Sequence, residues 1–246
     1  MMCIFGEQNG DVEMENNQLF RHELKYQCSA AQLEIIRNRL MVLMNYDLHA
    51  VNGQYTIRSL YFDNYDNRCF YENESGTDPR EKYRIRIYNA NIDRISLECK
   101  RKECGKTYKT ACLLSNAEYD ELLHGGNLSS LLTKHKLLRK FTVLMHMQRF
   151  QPAVIVEYDR TPFVCPVGNV RVTLDQNIRS SNAFSQFFSE IIPTRQILPQ
   201  GQHLIEVKYD ELLPDYIKDV LQIGTLQQST FSKYYLCRKN SMGGQL

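Results

Sequence analysis

Apolar and polar residues alternate along much of this chain. Segments at residues 19–27, 55–63, 81–89, 94–102, 106–113, 153–163, 169–178 and 203–210 carry the period-2 pattern or the β-rich composition of strands. Short breaks at Asn89–Asp93 and Glu103–Gly105 predict that the third to fifth strands form a meander. Helical patterns lie between strands. Ser29 is an N-cap candidate for a helix to about Met44, with Leu33, Ile36 and Leu40 along one face. Asn116 caps a short helix through Leu123, and an amphipathic stretch runs from about Ser129 to Met147. Pro214 opens a helix to about Leu221, and a last helix covers about Thr230 to Arg238. Residues 1–17 read as a disordered leader and residues 18–240 as one domain, because no repeat, low-complexity tract or long linker divides them.

These elements predict an α+β fold: an eight-stranded antiparallel β-barrel with helices packed on the outside. Closure removes exposed strand edges. A barrel of this size encloses side chains or one small ligand, so its lining decides the chemistry.

Residues i and i+2 of a strand share a face. That rule groups Glu23 with Lys25, and Lys82 with Arg84 and Arg86 opposite Tyr83, Ile85 and Ile87. It also groups Glu98 with Lys100, Tyr158 with Arg160, Arg171 with Thr173 and Asp175, and Glu206 with Lys208. On a single strand such a face is ordinarily the solvent face. Repetition over six strands, beside helices that need an apolar sheet face to pack on, assigns the charged faces to the lining. A lining so rich in cations repels itself when empty and calls for water and a polyanion. A chain of phosphates fits, since Arg offers forked donors and Lys a point charge. Glu206 and Glu23 either pair with neighbouring cations or hold a hard divalent ion, Mn²⁺ or Mg²⁺.

Composition narrows the class. The 246 residues are 43% hydrophobic and 24% charged, as in a soluble globular protein. No run of 18 apolar residues is present, and residues 1–18 are polar and acidic, so neither a membrane span nor a signal segment is expected. Eight cysteines without a CxxC pair predict reduced thiols in the cytoplasm. The six histidines show no metal-ligand spacing, and Gly125–Gly126 and Gly243–Gly244 lack the flanks of a phosphate-binding glycine loop. Net charge is only +2, yet residues 80–109 hold ten Lys or Arg against four Asp or Glu. That concentration points to a focused anionic ligand and against a generally basic surface for nucleic acid.

The segments RHELKY, RSLYFDN, KYRIRIYN, SLECKRK, VEYDRTPF, VRVTLDQNIR, LIEVKYD and FSKY follow one another in an order that resembles the VTC polyphosphate polymerase domain. That family lies in the triphosphate tunnel metalloenzyme (CYTH-like) superfamily. The likeness runs from about Phe20 to Arg238, and the Arg84/Arg86 pair and LIEVK are its most specific parts. It implies an ATP-dependent polyphosphate polymerase that transfers the γ-phosphate of ATP to a growing chain inside a basic tunnel, with Mn²⁺ or Mg²⁺. Motif by motif, it implies phosphate or nucleotide binding by Lys25, Arg84, Arg86, Lys100, Lys109, Tyr158, Arg160, Arg171, Ser232 and Lys233, with Lys208 beside Glu206 joining them. Catalysis would fall to Arg84, Arg86, Lys100, Arg160, Arg171 and Glu206, and the metal to Glu206 and Glu23.

Departures from the family pattern also carry information. Relatives that hydrolyse triphosphates open with Glu-x-Glu-x-Lys, whereas Arg21 takes the first position here, which favours the polymerase branch. Thr230 stands where some polymerases carry a further Lys, and Arg80 or Lys82 is the basic residue preceding the arginine pair. The implied partners are ATP and polyphosphate, without nucleic acid. The resemblance leaves room for a separately encoded membrane partner that would hold a cytoplasmic protein at the inner face of a membrane. The rival readings are a tunnel triphosphatase and a non-catalytic polyphosphate-binding module.

Overall fold

A computed structural model describes residues 21–50, 52–125, 128–224, 226 and 228–243. The expected leader lies outside the described residues. In chain order the elements are β1 (His22–Ser29), α1 (Ala30–Leu43), β2 (Asn45–Tyr46), β3 (Tyr55–Asp63), α2 (Arg68–Glu74), β4 (Arg80–Tyr88), β5 (Asn91–Glu103) and β6 (Lys106–Leu114). They continue with α3 (Asn116–His124), α4 (Leu128–Leu132), α5 (Lys136–Met147), β7 (Gln151–Cys165), β8 (Val170–Ser181), β9 (Arg195–Gln196), β10 (Gln202–Tyr209), α6 (Asp215–Leu221) and α7 (Lys233–Gly243).

Eight long strands form one antiparallel sheet in the order β1-β10-β8-β7-β3-β4-β5-β6, with β2 and β9 appended to β7 and β8. The sheet curls, as expected of the barrel, into a half-barrel whose edge strands meet at one point. Arg21 and Thr107 exchange two backbone hydrogen bonds of 3.1 and 3.2 Å at one point. Farther along, the β1 edge is covered by the chain before α7. Tyr26 bridges to Gln228, Ser229 N–H donates to the Lys25 carbonyl at 2.8 Å, and Lys25 Nζ donates to the Phe231 carbonyl at 2.8 Å. An edge strand left bare would invite pairing with other chains, and this segment occupies it.

The strand alternation puts apolar side chains outward, beneath helices. On one side Leu33, Ile36 and Leu40 of α1 and Ile217, Val220 and Leu221 of α6 pack on Phe163, Val172, Leu174, Ile205 and Val207. On another, Tyr119 and Leu122 of α3 and Leu137, Leu138 and Phe141 of α5 join Leu60, Phe62, Tyr83, Ile85, Ile87 and Leu97 in a second core. Burial of these residues outside the sheet leaves its concave face to the charged partners in each alternation. Cys28, Cys69, Cys99, Cys165 and Cys237 are buried free thiols, and burial raises the pKa of Cys28, Cys69, Cys99 and Cys237.

Ser29 caps α1 through a reciprocal capping box with Gln32. The expected Asn116 cap is instead Ser115, whose hydroxyl accepts from the Glu118 N–H while Glu118 accepts from the Ser115 N–H. The amphipathic stretch at 129–147 breaks into α4 and α5, because His135 turns the chain and its Nδ1 accepts from the Leu137 N–H. The last helix starts at Lys233, three residues later than expected. A helix absent from the sequence reading, α2, is anchored by Asp63, whose carboxylate accepts from the Cys69 and Phe70 N–H groups. No helix among the described residues is long and apolar enough to cross a membrane.

Candidate functional site

Cross-strand register builds the concave face. Lys25 lies opposite Glu206, Lys208 opposite Arg171, Arg160 opposite Asp175, Arg84 opposite Glu98 and Lys100 opposite Lys109. Each belongs to the charged side of its strand's alternation, so the curl aims them at a shared space. Arg84 Nε donates to Glu98 Oε2 at 2.7 Å and its Nη1 to the Tyr61 hydroxyl at 2.7 Å. Arg86 donates to Ser59 Oγ at 3.1 Å and to the Tyr158 hydroxyl at 3.4 Å, and its Nη1 lies 3.7 Å from Glu98. Lys109 reaches Glu98 at 3.2 Å but is half exposed. Lys100 contacts Glu23 at 2.6 Å, across the gap between β5 and β1.

A second cluster surrounds α7. Arg160 grips Asp175, Lys233 Nζ lies 2.6 Å from Asp175 and 3.4 Å from Glu206, and Lys208 Nζ lies 2.7 Å from Glu206. The Tyr158 ring lies under both Arg160 and Lys233, with 5.1 and 4.7 Å to its centroid. Arg171 lies 2.8 Å from the Tyr55 hydroxyl and 2.8 Å from Asp47. Ser232 faces inward from the turn before α7 and accepts from Lys82 at 3.1 Å.

Electrostatics follow from this crowding. Burial opposes the ionised form of Glu206, but Lys208, Lys233, Lys25 and Arg160 hold its carboxyl well below the usual range. Burial likewise pushes Glu23 up, as does Glu206, yet Lys100, Lys25 and Lys208 bring it to about 2. Burial lowers Lys100 to about 8 despite Glu23 beside it, because Lys25 and Lys208 are also near. The Tyr158 phenol, pushed up by burial, is drawn below its ordinary value by Arg160, Arg86 and Lys233. Buried ion pairs are weak contributors to stability, because desolvation offsets their attraction. Such a concentration in one cavity is the electrostatic mark of a ligand site.

The sequence reading placed Lys25, Arg84, Arg86, Lys100, Lys109, Tyr158, Arg160, Arg171, Glu206, Lys208, Ser232, Lys233 and Glu23 around one space. Side-chain contacts link Arg84, Arg86, Lys109 and Tyr158, link Lys25, Glu23 and Lys100, and link Arg160, Lys233, Glu206 and Lys208, while Arg171 lies opposite Lys208 on the ladder and Ser232 precedes Lys233. The sequence reading gave no task to Glu98 or Asp175, the acids that pair with most of the buried guanidinium groups. Both share an alternation face with lining cations, so that signal was present. Tyr61, Tyr55 and Asp47 were missed; only the fold brings Asp47 to Arg171. Arg21, in the place of the hydrolases' first carboxylate, pairs with Asp210 at 2.8 Å and donates to the Asn169 carbonyl. A cavity of about 550 Å³ lies elsewhere, outside the sheet against α6 and lined by Leu24, Tyr26, Leu213 and Leu221.

The fold has relatives among solved structures. HpAC1 from Hippeastrum, an adenylyl cyclase candidate with a dominant triphosphatase activity, superposes with a TM-score of 0.55 at 17% identity, covering 90% of this chain and 96% of its own. PH1819 from Pyrococcus horikoshii OT3 gives a TM-score of 0.48 at 14% identity, with 91% and 99% covered. At these identities the likeness concerns the fold alone. No curated protein matches the chain. The VTC domain profile matches residues 20–241, nearly the whole described structure, and the chain belongs to the VTC domain family.

Proposed function

We propose that this protein is an ATP-dependent polyphosphate polymerase, transferring the γ-phosphate of ATP to a polyphosphate chain held in the tunnel. The observation that carries this reading is the convergence of Arg84, Arg86, Lys100, Arg160, Arg171 and Lys233 on one lining, from strands spread around the sheet and from α7. Phosphoryl transfer asks for positioning and charge neutralisation more than for covalent participation by the protein. An oxygen of the chain's terminal phosphate attacks the γ-phosphorus, and the bond to the β–γ bridging oxygen breaks, leaving ADP. Arg84, Arg86, Lys100, Arg160 and Arg171 hold the β and γ oxygens and take up the charge that develops on them. Their present partners, Glu98, Glu23, Asp175 and Asp47, act as counter-ions that phosphate oxygens exchange with on binding.

The residues fit a divalent ion. Glu23 and Glu206 are diagonal neighbours on β1 and β10. Glu23 Oε1 is buried without a hydrogen bond, since Lys25 Nζ at 3.1 Å approaches it outside hydrogen-bonding geometry. No three acidic, His or Cys side chains form a metal cage among the described residues. Mg²⁺ or Mn²⁺ suits such a place, because it takes one or two carboxylates and completes its shell with water and phosphate oxygens. Held there by Glu23 and Glu206, the ion would supply charge neutralisation to the phosphate groups.

The test is incubation of the purified protein with ATP and Mn²⁺, with products separated on a gel. Long anionic polymer is the expected result. Release of free phosphate alone would instead identify a tunnel triphosphatase, and no turnover with retained polyphosphate binding would identify a binding module.

A further inference from the structure

The cross-strand ladder between β4 and β5 runs out of acids in one direction. Arg84 faces Glu98, the next inward pair is Lys82 opposite Lys100, and the pair beyond is Arg80 opposite Lys102. Lys100 turns to Glu23 for a partner. Lys82 finds only neutral ones: Asn73 Oδ1 on α2, Ser232 Oγ at 3.1 Å, and the Tyr234 ring of α7, 5.4 Å from ammonium to centroid. Lys25, Arg84, Arg86, Lys100, Lys109, Arg160, Arg171, Lys208 and Lys233 each have a carboxylate within 4.0 Å. Lys82 has none among the described residues. A partly buried ammonium without a counter-ion gains more from an arriving anion than one that must first release a carboxylate.

We propose that Lys82, with Ser232 and Asn73, forms an outer subsite for one phosphate of a long polyphosphate chain, distinct from the positions filled by a triphosphate on Arg84 and Arg86. This deepens the reading of the tunnel as a polyphosphate site and rests on it. Lys82 stands two residues along β4 from Arg84, a rise of roughly 7 Å. Lys100, opposite Lys82 on the ladder, sends its ammonium to Glu23 on β1, whereas Lys82 sends its own to α2 and Ser232. A triphosphate held by the arginine pair and Lys100 therefore leaves Lys82 to a longer chain that continues toward Arg80 and Lys102. Asn73 and Ser232 aim their oxygens at the ammonium and fix its position, so its protons are shared with a phosphate without a search for geometry.

The surroundings supply a second signature. Burial, then Lys100, Lys25 and Arg80, pull Lys82 down to about 7, against a smaller opposing effect of Cys69. At pH 8 the amine is therefore mostly neutral in the free protein, and a phosphate beside it favours the charged form, so binding there draws in a proton.

Calorimetric titration without ATP tests the subsite, using tripolyphosphate and a long-chain polyphosphate against the wild type, Lys82→Met and Lys82→Arg. Loss of one charge-assisted contact predicts about tenfold weaker long-chain binding by Lys82→Met, with tripolyphosphate changed less than about twofold and Lys82→Arg close to wild type. In the wild type at pH 8, buffers of different ionisation enthalpy should report more proton uptake with the long chain than with tripolyphosphate. Equal loss for both ligands, or loss for neither, overturns the subsite. Should Lys82→Met fail to fold, equal proton uptake for the two ligands in the wild type overturns it just as well. None of these readings needs turnover: failure to make polymer from ATP sinks the polymerase reading alone, and unchanged long-chain binding sinks the subsite alone.

Discussion

Arg160 donates from Nε and Nη2 to the two carboxylate oxygens of Asp175, at 2.7 and 2.8 Å, across the β7–β8 ladder, and both side chains are buried. Asp175 also holds Lys233 at 2.6 Å, tying the start of α7 to the sheet. Burial alone would raise its pKa, but Arg160 and Lys233 keep it below the ordinary value and ionised. Asp175→Asn removes that charge and leaves two buried cations short of a partner. The expected cost is about 3–5 kcal/mol in urea unfolding. Long-chain polyphosphate should recover more stability in the variant than in the wild type, because phosphate oxygens replace the missing charge. Equal stabilisation of the two proteins by polyphosphate would show that the ligand does not reach Arg160 and Lys233.

Arg84 connects three features of the lining: Glu98, Tyr61 and the space between them. Arg84→Ala should lower polymer synthesis from ATP by about 10²–10³-fold, the usual effect of deleting one donor to a developing phosphate charge. Its effect on folding is not zero, since Glu98 loses its nearest cation. Arg86 and Lys109 remain near that carboxylate, which limits the loss to about 2 kcal/mol. Saturating ATP with synthesis still at the wild-type rate would remove Arg84 from the site.

Glu23 gives a pH test with a defined sign. Its folded pKa of about 2 lies below the ordinary 4.5, so its contribution to stability is present above about 4.5 and is lost as pH falls through about 2. Denaturant unfolding of the wild type and Glu23→Gln should differ by about 3 kcal/mol at neutral pH. The gap should close between about pH 4.5 and 2. A gap constant down to pH 2 would mean that Lys100 and Lys25 do not depend on the Glu23 charge.

Much of the lining was legible because a strand has a fixed side-chain period. Once Tyr83, Ile85 and Ile87 are assigned to a helix-covered face, Lys82, Arg84 and Arg86 have no other side to take. Leu33, Ile36 and Leu40 were readable for the same local reason, with a helical period. The features that escaped depend on distant neighbours. Helix α2 is short and starts where Asp63 reaches its first N–H groups, a contact that its own sequence RCFYENE does not announce. Coverage of the β1 edge by Gln228–Phe231 in place of a complete β1–β6 ladder is equally non-local. Whether a lining cation owns a counter-ion is a matter of register and curl. Lys82 and Arg84 look alike in the sequence and differ in the fold.

Arg21 supplies the last test, because it occupies the position of a carboxylate in hydrolytic tunnel enzymes and shares the alternation face of Glu23 and Lys25. Its guanidinium pairs with Asp210 and reaches the Asn169 carbonyl at the turn between β7 and β8. Arg21→Glu exchanges this pair for a like-charge contact with Asp210 and places a further acid near Glu23. The expected stability loss is about 1 kcal/mol, since both partners are only partly buried. An added carboxylate on that face would tighten divalent-ion binding. An ion held more firmly beside Glu23 can also activate water, which would then compete with the polymer end for the γ-phosphate. The variant should therefore reach half-maximal turnover at lower Mn²⁺ and release a larger share of product as free phosphate, read from the ratio of phosphate to polymer per ATP consumed. An unchanged ratio and an unchanged Mn²⁺ requirement would show that position 21 lies too far from the reacting phosphates to choose between water and polymer.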